Sequence, residues 1–108
     1  MWLTVASKKF YVYILTNKHK NVLYVGITSD LPDRLFKHIT GKTKGFAYKY
    51  NCFYLVYNEE HQYIDQAIKR EKQIKGWRRE KKDNLITKFN PEWKFLNDDI
   101  LNTETINA

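Results

Sequence analysis

Three short runs of Tyr, Val, Ile and Leu stand out in the first half of the chain, at residues 10–16, 22–27 and 53–57. β-Branched and aromatic residues of this kind favour β-strands. A polar segment at residues 17–20 separates the first two runs and predicts a hairpin loop. A hairpin centred between Lys18 and His19 would place Tyr13 directly opposite Tyr24, on the same face of the sheet.

A first helix is predicted directly after the hairpin. Asp30 is a suitable N-cap, and Leu31, Leu35 and Ile39 follow at the spacing of a core stripe. Gly41 stands where the helix should end, because glycine readily adopts the left-handed conformation that often follows a helix.

The remaining helices and the domain boundaries follow from similar signals. A basic and aromatic loop occupies residues 42–50, a second helix is expected at about 65–75, and a third at about 78–89. The predicted fold class is α/β (α+β), with a small three-stranded antiparallel sheet flanked by helices in a single domain. We expect an N-terminal flank at residues 1–8, the folded domain at 9–95, and a polar, frayed tail at 96–108.

The charge of the chain narrows the kind of partner. The 108 residues have a formal net charge of +7, and residues 69–88 hold nine Lys or Arg against three acidic residues. Such a basic band suits a polyanion, although it also suits an ordinary solvated helix surface. No apolar stretch approaches the ~20 residues of a membrane span. The single cysteine, Cys52, cannot form an internal disulfide, and this favours a cytoplasmic protein.

Two other function classes are disfavoured. One Cys and three scattered His residues lack the spacing of a structural zinc site. Gly41-Lys42-Thr43 is similar to the end of a phosphate-binding loop, but Phe36 replaces the glycine needed upstream.

Glu71 lies where the pattern predicts a core residue. In the second helix Ile64, Ala67, Ile68 and Ile74 form one apolar stripe, and Glu71 falls on it. A carboxylate on a core-facing stripe is costly unless it is paired or binds a metal. Glu71 is therefore either a candidate metal ligand or a residue at the stripe edge that pairs with an Arg or reaches solvent.

Other groups suited to phosphate chemistry lie upstream. Arg34 and His38 share one face of the first helix, where an Arg can grip a phosphate and a neutral His can relay a proton; a solvated surface pair is the alternative. Tyr13 and Tyr24 offer phenols that would need help from a cation or metal to ionise. Gly26, inside a strand, suggests a bulge or the close approach of a ligand.

In this order and spacing, the motifs resemble the GIY-YIG nuclease family. Tyr11-Val12-Tyr13 is similar to its first signature and Tyr24-Val25-Gly26 to its second, and the helical positions of Arg34, His38 and Glu71 also fit. The similarity covers about residues 9–95. The chain most resembles small stand-alone bacterial members of the family, which carry segments similar to residues 71–77 and 90–93. It is also similar to the N-terminal nuclease domain of a DNA-repair excinuclease.

The resemblance implies a metal-dependent endonuclease acting on nucleic acid, with DNA expected, in DNA repair or processing. It implies Mg²⁺, or Mn²⁺, held by Glu71, with Arg34 at the scissile phosphate. Tyr13 or Tyr24 would activate the attacking water, and His38 would assist proton transfer or orient a tyrosine. Residues expected to contact nucleic acid are Gly26, Lys42, Lys44, Lys75, Trp77 and Arg78. Neither a membrane nor a small-molecule cofactor is expected, and a protein partner could supply specificity.

Departures from the family pattern leave room for a weak or partner-dependent enzyme, and a second function class stays open. Ile27 stands where repair endonucleases of the family carry a Lys, so Lys42 or Lys44 would have to supply that cation. The alternative is a nucleic-acid-binding module with little catalysis, which would use the basic band together with aromatic residues for base stacking: Phe46, Tyr48, Tyr50 and Trp77.

Overall fold

The fold is a small antiparallel sheet covered by helices on both faces. The computed structural model describes residues 8–42 and 45–107. Within them β1 (Phe10–Thr16) lies between β2 (Leu23–Thr28) and β3 (Tyr54–His61). The helices are α1 (Leu31–Ile39), α2 (Phe46–Lys49), α3 (Ile64–Lys75), α4 (Arg79–Phe89) and α5 (Asn97–Asn107). The predicted fold class, a three-stranded antiparallel sheet with flanking helices, is confirmed.

Two core clusters form because alternate residues of β1 point to opposite faces of the sheet. Val12 and Ile14 belong to the first cluster, together with residues of α3 and α4: Ala67, Ile74 and Ile86. Tyr13 and Leu15 belong to the second cluster, together with residues of α1 and the segments after it: Leu31, Leu35, Ala47, Cys52 and Leu55. The Tyr13 phenol is therefore on the α1 side of the sheet.

The hairpin register differs by two residues from the predicted one. Tyr13 pairs with Gly26 and Tyr24 pairs with Leu15, so the tyrosines are diagonal neighbours rather than directly opposite. The loop is longer than predicted because the Asn17 side chain accepts hydrogen bonds from two backbone N–H groups further along it. A shift of two preserves the face of each side chain. Both rings therefore lie on one face as predicted, with centroids 6.3 Å apart.

Helix α1 has the predicted cap but a different core stripe. The Asp30 side chain caps the helix, and Leu31 and Leu35 are buried. Ile39, predicted as core, is 46% exposed, whereas His38 is buried. At 3.6 residues per turn, His38, seven residues after Leu31, lies on nearly the same helix face as Leu31, whereas Ile39 lies about 100° further around the helix. His38 is thus a buried residue and not part of a solvated surface pair.

The apolar stripe of α3 is narrower than predicted. Ala67 and Ile74 are fully buried, but Ile64 and Ile68 are 51% and 39% exposed. At about 100° per residue, Glu71 lies about 40° from Ala67 around the helix, whereas Ile68 lies about 100° away. The Glu71 side chain is accordingly only 13% exposed, and it forms an ion pair with Lys75; whether it also holds a metal stays a prediction.

A β-bulge interrupts β3. Ile14 pairs with Tyr57 while Leu15 pairs with Leu55, so Val56 has no partner in the ladder with β1. Because of this extra residue, Leu55 joins the second core cluster while Tyr57 joins the first. Without the bulge, the period of two would send both side chains to the same face.

Asn90 satisfies the backbone at this bulge. Its side-chain Nδ2 donates to the Val56 carbonyl at 3.1 Å and to the Lys94 carbonyl at 2.9 Å. Its Oδ1 accepts from the Lys94 backbone N–H at 3.1 Å. The segment at residues 90–93 therefore ties the end of α4 to β3.

The C-terminal residues form a helix and not the frayed tail that was predicted. Leu96, Ile100 and Leu101 pack against the second core cluster. The Asn97 side chain accepts from the Leu55 N–H and donates to a backbone carbonyl, each at 2.8 Å. A domain boundary near residue 95 stays a prediction. The described part of the chain contains no helix with both the length and the apolarity to cross a membrane.

Candidate active site

A buried tyrosine–histidine contact lies at the centre of the candidate site. The Tyr13 hydroxyl and His38 Nε2 are 3.1 Å apart, and each residue is 1% exposed. Burial, and then the positive charge of Arg34, lowers the pKa of His38, so the imidazole is neutral near pH 7. His38 Nδ1 is buried without a hydrogen-bond partner among the described residues. Such atoms are rare in folded proteins, and a catalytic role is one explanation for them.

Gly26 makes room for the Tyr13 ring. A Cβ at Gly26 would be 2.4 Å from Cζ of Tyr13 and 2.5 Å from its hydroxyl. The glycine is buried and pairs regularly with Tyr13, without a bulge. The close approach predicted at this glycine is therefore made by a tyrosine ring of the chain itself, and Gly26 is covered rather than open to nucleic acid.

Tyr24 lies beside the same phenol, and the charges of Arg34 and Glu71 affect its pKa. The Tyr24 ring centroid is 6.3 Å from that of Tyr13 and 5.6 Å from that of His38. The pKa of Tyr13 is raised, first by burial and then by Tyr24; Arg34 opposes the rise and Glu71 adds to it. Both charges must lie within electrostatic range of the Tyr13 hydroxyl to act in this way. The structure thus brings Tyr13, Tyr24 and His38 into contact, and Arg34 and Glu71 act on the Tyr13 phenol through their charges.

Glu71 has the chemistry of a single-carboxylate metal ligand. Its Oε2 lies 2.7 Å from Lys75 Nζ, and the Lys75 side chain is 52% exposed, so this ion pair is free to open toward solvent. Mg²⁺ is usually bound through one or two carboxylates together with waters and substrate phosphates. Within residues 8–42 and 45–107 no three His, Cys, Asp or Glu side chains form a metal-binding group. The residues present fit a metal held through Glu71.

The other predicted nucleic-acid contacts are dispersed. Lys42 is exposed after α1, with its Nζ 5.5 Å from the centroid of an aromatic ring of that helix. Trp77 packs against the first core cluster, and Lys81 Nζ lies 4.5 Å from its ring centroid. Arg78 is exposed at the N-cap of α4. Lys44 lies outside the described residues.

An exposed aromatic pair adjoins the site. Phe46 of α2 is 50% exposed, and its ring is nearly parallel to that of Tyr24, with centroids 6.3 Å apart. Tyr50 is 41% exposed, and its ring centroid is 4.6 Å from that of Phe46. The sequence indicated aromatic residues here, but the contact between Phe46 of α2 and Tyr24 of β2 joins elements that are distant in the chain, and no local pattern encodes it.

A second polar cluster, on the α3 side of the sheet, was not predicted. The Glu59 carboxylate accepts a hydrogen bond from the Tyr57 hydroxyl, contacts His61 Nε2 at 2.6 Å, and accepts from Arg70 Nε at 3.0 Å. Burial acts to raise the pKa of Glu59, but the hydrogen bonds from Tyr57, His61 and Arg70 outweigh it and the pKa is lowered. The alternation of polar residues at 57, 59 and 61 was the available signal.

The protein is a small α+β domain with a three-stranded antiparallel sheet and a buried tyrosine–histidine contact. Residues 9–84 match the model of the GIY-YIG catalytic domain, and the chain belongs to the GIY-YIG family. The resemblance inferred from the motifs is thereby confirmed. Nucleases of this family are generally metal-dependent.

The chain is similar to small proteins made of little more than this domain. It is 35% identical over 79 residues to UPF0213 protein SSP2268 of Staphylococcus saprophyticus, covering 73% of this chain and 95% of that protein. It is 35% identical over 78 residues to UPF0213 protein SH2523 of Staphylococcus haemolyticus, covering 72% and 94%. The solution NMR structure of UPF0213 protein BH0048 from Bacillus halodurans matches with 32% identity, a TM-score of 0.48, and coverage of 73% and 83%.

Proposed function

We propose that the protein is an endonuclease that hydrolyses phosphodiester bonds of nucleic acid, with DNA as the substrate and Mg²⁺, or Mn²⁺, as the metal. The observation that carries the proposal is the contact of the buried Tyr13 phenol with His38 and Tyr24, with the charges of Arg34 and Glu71 acting on the same phenol. Membership of a nuclease family supports it. A role in DNA repair or processing, in the cytoplasm, is part of the proposal.

Glu71 and Arg34 would act on the scissile phosphate. Glu71 would hold Mg²⁺, which would supply positive charge to the phosphodiester during displacement. Arg34 would donate two hydrogen bonds from its planar guanidinium to phosphate oxygens. Lys75 would turn from Glu71 toward the nucleic-acid backbone. Further contacts to that backbone are proposed for the remaining predicted residues: Lys42, Lys44, Trp77 and Arg78.

Activation of water would fall to the two phenols. The Tyr13 hydroxyl lies 3.1 Å from Nε2 of His38, which can accept its proton in the tautomer that carries hydrogen on Nδ1. Because the pKa of Tyr13 is raised and that of His38 is lowered, Tyr13 would pass its proton to His38, while taking one from water, only where a bound metal offsets these shifts. Tyr24 is half-buried and closer to solvent, so it can receive the proton of water first or orient that water for Tyr13. Single-turnover rates of Tyr13→Phe and Tyr24→Phe across pH would separate the base from the orienting residue.

Cleavage assays with a matched pair of acidic variants would test the proposal. Wild type, Glu71→Ala and Asp83→Ala would be incubated with labelled single-stranded, duplex, nicked and branched DNA and RNA, in Mg²⁺, Mn²⁺ or EDTA. Asp83 is the control because it also forms an ion pair within one helix, at 2.7 Å to Arg79, but on α4. We expect metal-dependent cleavage that Glu71→Ala abolishes and Asp83→Ala retains. Cleavage unaffected by Glu71→Ala would contradict the proposed metal ligand.

The same assay addresses the second candidate, a nucleic-acid-binding module with little catalysis. The observation that favours this candidate is the exposed aromatic pair of Phe46 and Tyr50, which can bind bases without any chemistry. Salt-sensitive binding of wild type without cleavage in either metal would support the binding module and reject the nuclease.

A further inference from the structure

We propose that Phe46 and Tyr50 form a stacking platform for one unpaired base beside the scissile phosphate. The substrate class would then be nucleic acid with a single-stranded or extruded nucleotide at the cleavage point. This inference rests on the proposed function, because that function places the phosphate at Tyr13, Tyr24 and Arg34.

The platform is continuous with the candidate active site. Tyr50 contacts Phe46, Phe46 lies nearly parallel to Tyr24 at an interplanar angle of 23°, and Tyr24 contacts both Tyr13 and His38. A nucleotide with its phosphate at Tyr24 would therefore carry its base toward Phe46. The half-exposed ring of Phe46 offers apolar surface at that point.

Tyr48, on the same short helix, is as exposed as Tyr50 at 41%, but it packs against the scaffold and not toward the candidate site. Its ring packs so closely on Gly41 that a Cβ there would be 2.8 Å from Cε1 of Tyr48. It also meets Phe53 edge-on, with centroids 6.5 Å apart. Phe46 instead contacts Tyr24 of the candidate site, and Tyr50 contacts Phe46. Stacking on a base would cover the ring surface that they leave in solvent.

The charge around the platform suits a nucleic acid. Lys49 Nζ lies 5.5 Å from the Tyr50 ring centroid, and Lys42 is exposed at the start of the same segment. Cations beside exposed rings provide both of the interactions that proteins use to hold single strands, namely attraction to the phosphates and stacking on the bases. An apolar protein partner would bury these ammonium groups at a cost in desolvation.

An unpaired base is required because the faces of bases within a duplex are already covered by their neighbours. Only a single-stranded or extruded nucleotide presents a free face to a side chain. The platform would therefore favour nicked, gapped, branched or looped substrates over a regular duplex.

Equilibrium binding in EDTA would test this inference without any need for cleavage. Three labelled ligands of one sequence would be compared by fluorescence anisotropy: a duplex with one unpaired nucleotide, the same duplex with that nucleotide abasic, and the fully paired duplex, each made as DNA and as RNA. The variants would be Phe46→Ala, Tyr50→Ala and Phe46→Trp. The control would be Phe89→Ala, since Phe89 is also 50% exposed but lies on α4 against Tyr57.

The effects on binding free energy of removing the aromatic ring and of removing the unpaired base should not be additive. We expect Phe46→Ala and Tyr50→Ala each to weaken binding of the unpaired-nucleotide duplex roughly tenfold, and to leave binding of the abasic duplex unchanged. Phe46→Trp should bind as tightly as wild type, and Phe89→Ala should have no effect. Equal weakening on the base-containing and abasic ligands, or equal effects of Phe46→Ala and Phe89→Ala, would overturn the platform.

The outcomes also separate this inference from the proposed function. Metal-dependent cleavage by wild type that Phe46→Ala and Tyr50→Ala leave unchanged on every substrate would overturn the platform and keep the nuclease. Base-dependent binding through Phe46, without cleavage in Mg²⁺ or Mn²⁺, would support the platform and reject the nuclease.

Discussion

Replacing Gly26 with alanine should displace the Tyr13 phenol from the site. The added Cβ would be 2.4 Å from Cζ, 2.5 Å from the hydroxyl and 2.9 Å from Cε1 of Tyr13. Carbon atoms pack best at about 3.5–4.0 Å, so the ring would have to move by about 1 Å. Tyr13 is 1% exposed, and the surrounding core therefore resists this movement.

The expected cost follows from two contributions. Overpacking of a buried site typically costs about 1–3 kcal/mol, and loss of the hydrogen bond between Tyr13 and His38 adds about 1 kcal/mol. Gly26→Ala should therefore lower the free energy of unfolding by about 2–4 kcal/mol. Because the displaced hydroxyl leaves His38 Nε2, the variant should also lose any activity that depends on this contact.

Urea denaturation of wild type and a small set of variants would measure this cost. Gly76→Ala is the matched control, because a Cβ at Gly76 would meet only backbone carbonyl oxygens at 3.6 and 3.7 Å, which is ordinary contact. Tyr13→Leu, alone and combined with Gly26→Ala, completes a double-mutant cycle. With the ring removed, the alanine should cost much less than it does beside Tyr13.

Two results would refute the reasoning about Gly26. One is a Gly26→Ala protein as stable as the Gly76→Ala control. The other is a Gly26→Ala cost that is the same with Tyr13 as with Leu at position 13, since the clash would then not involve the phenol.

Three further predictions concern stability. The pKa of His38 is lowered in the folded protein, so as pH falls through ~6.5 the unfolded chain takes up the proton before the folded protein does. The free energy of unfolding of wild type should therefore fall between pH ~7.5 and the lowered pKa, and that of His38→Phe should fall less, as measured by urea denaturation at each pH. Equal pH dependence in the two proteins would argue against a neutral buried imidazole. Glu59→Gln should lower the free energy of unfolding by about 1–3 kcal/mol because it weakens a half-buried hydrogen-bond network. Glu60→Gln is the control and should have little effect, because Glu60 forms an exposed ion pair with Lys9. Equal changes in the melting temperature of the two variants would contradict this. Asp30→Ala should cost about 1 kcal/mol through loss of the N-cap of α1, measured by urea denaturation, and an unchanged midpoint would show that the cap contributes nothing.

The parts of the fold that depend on local pattern were predictable. The first strand is predicted at residues 10–16, as observed. The predicted second and third helices correspond to α3 and α4, which end at Lys75 and Phe89 as expected. Asp30 caps α1 as its side chain suggested. These features are set by strand composition, helical periodicity and capping, which act over a few residues.

The parts that depend on distant contacts were not predictable. The bulge at Val56 changes which face each β3 side chain occupies, and no residue near it marks the change. Helix α5 is held by packing of Ile100 on the second core cluster, although its own sequence is largely polar. The contact between Phe46 and Tyr24 depends on the path of a loop. In the candidate site the motifs supplied the residue types, but the burial of His38 came only from the three-dimensional structure.

The hydrogen bond between Asn90 and the Val56 carbonyl has a consequence for comparing homologues. A descendant that lost Glu71 would still contain the bulge and would still need a donor for that carbonyl. Selection could therefore preserve the Asn-Pro-Glu-Trp segment in lineages that have abandoned catalysis. A segment kept for this reason would not distinguish active from inactive homologues, and the proposed catalytic positions Tyr13, His38 and Glu71 would be the ones to compare.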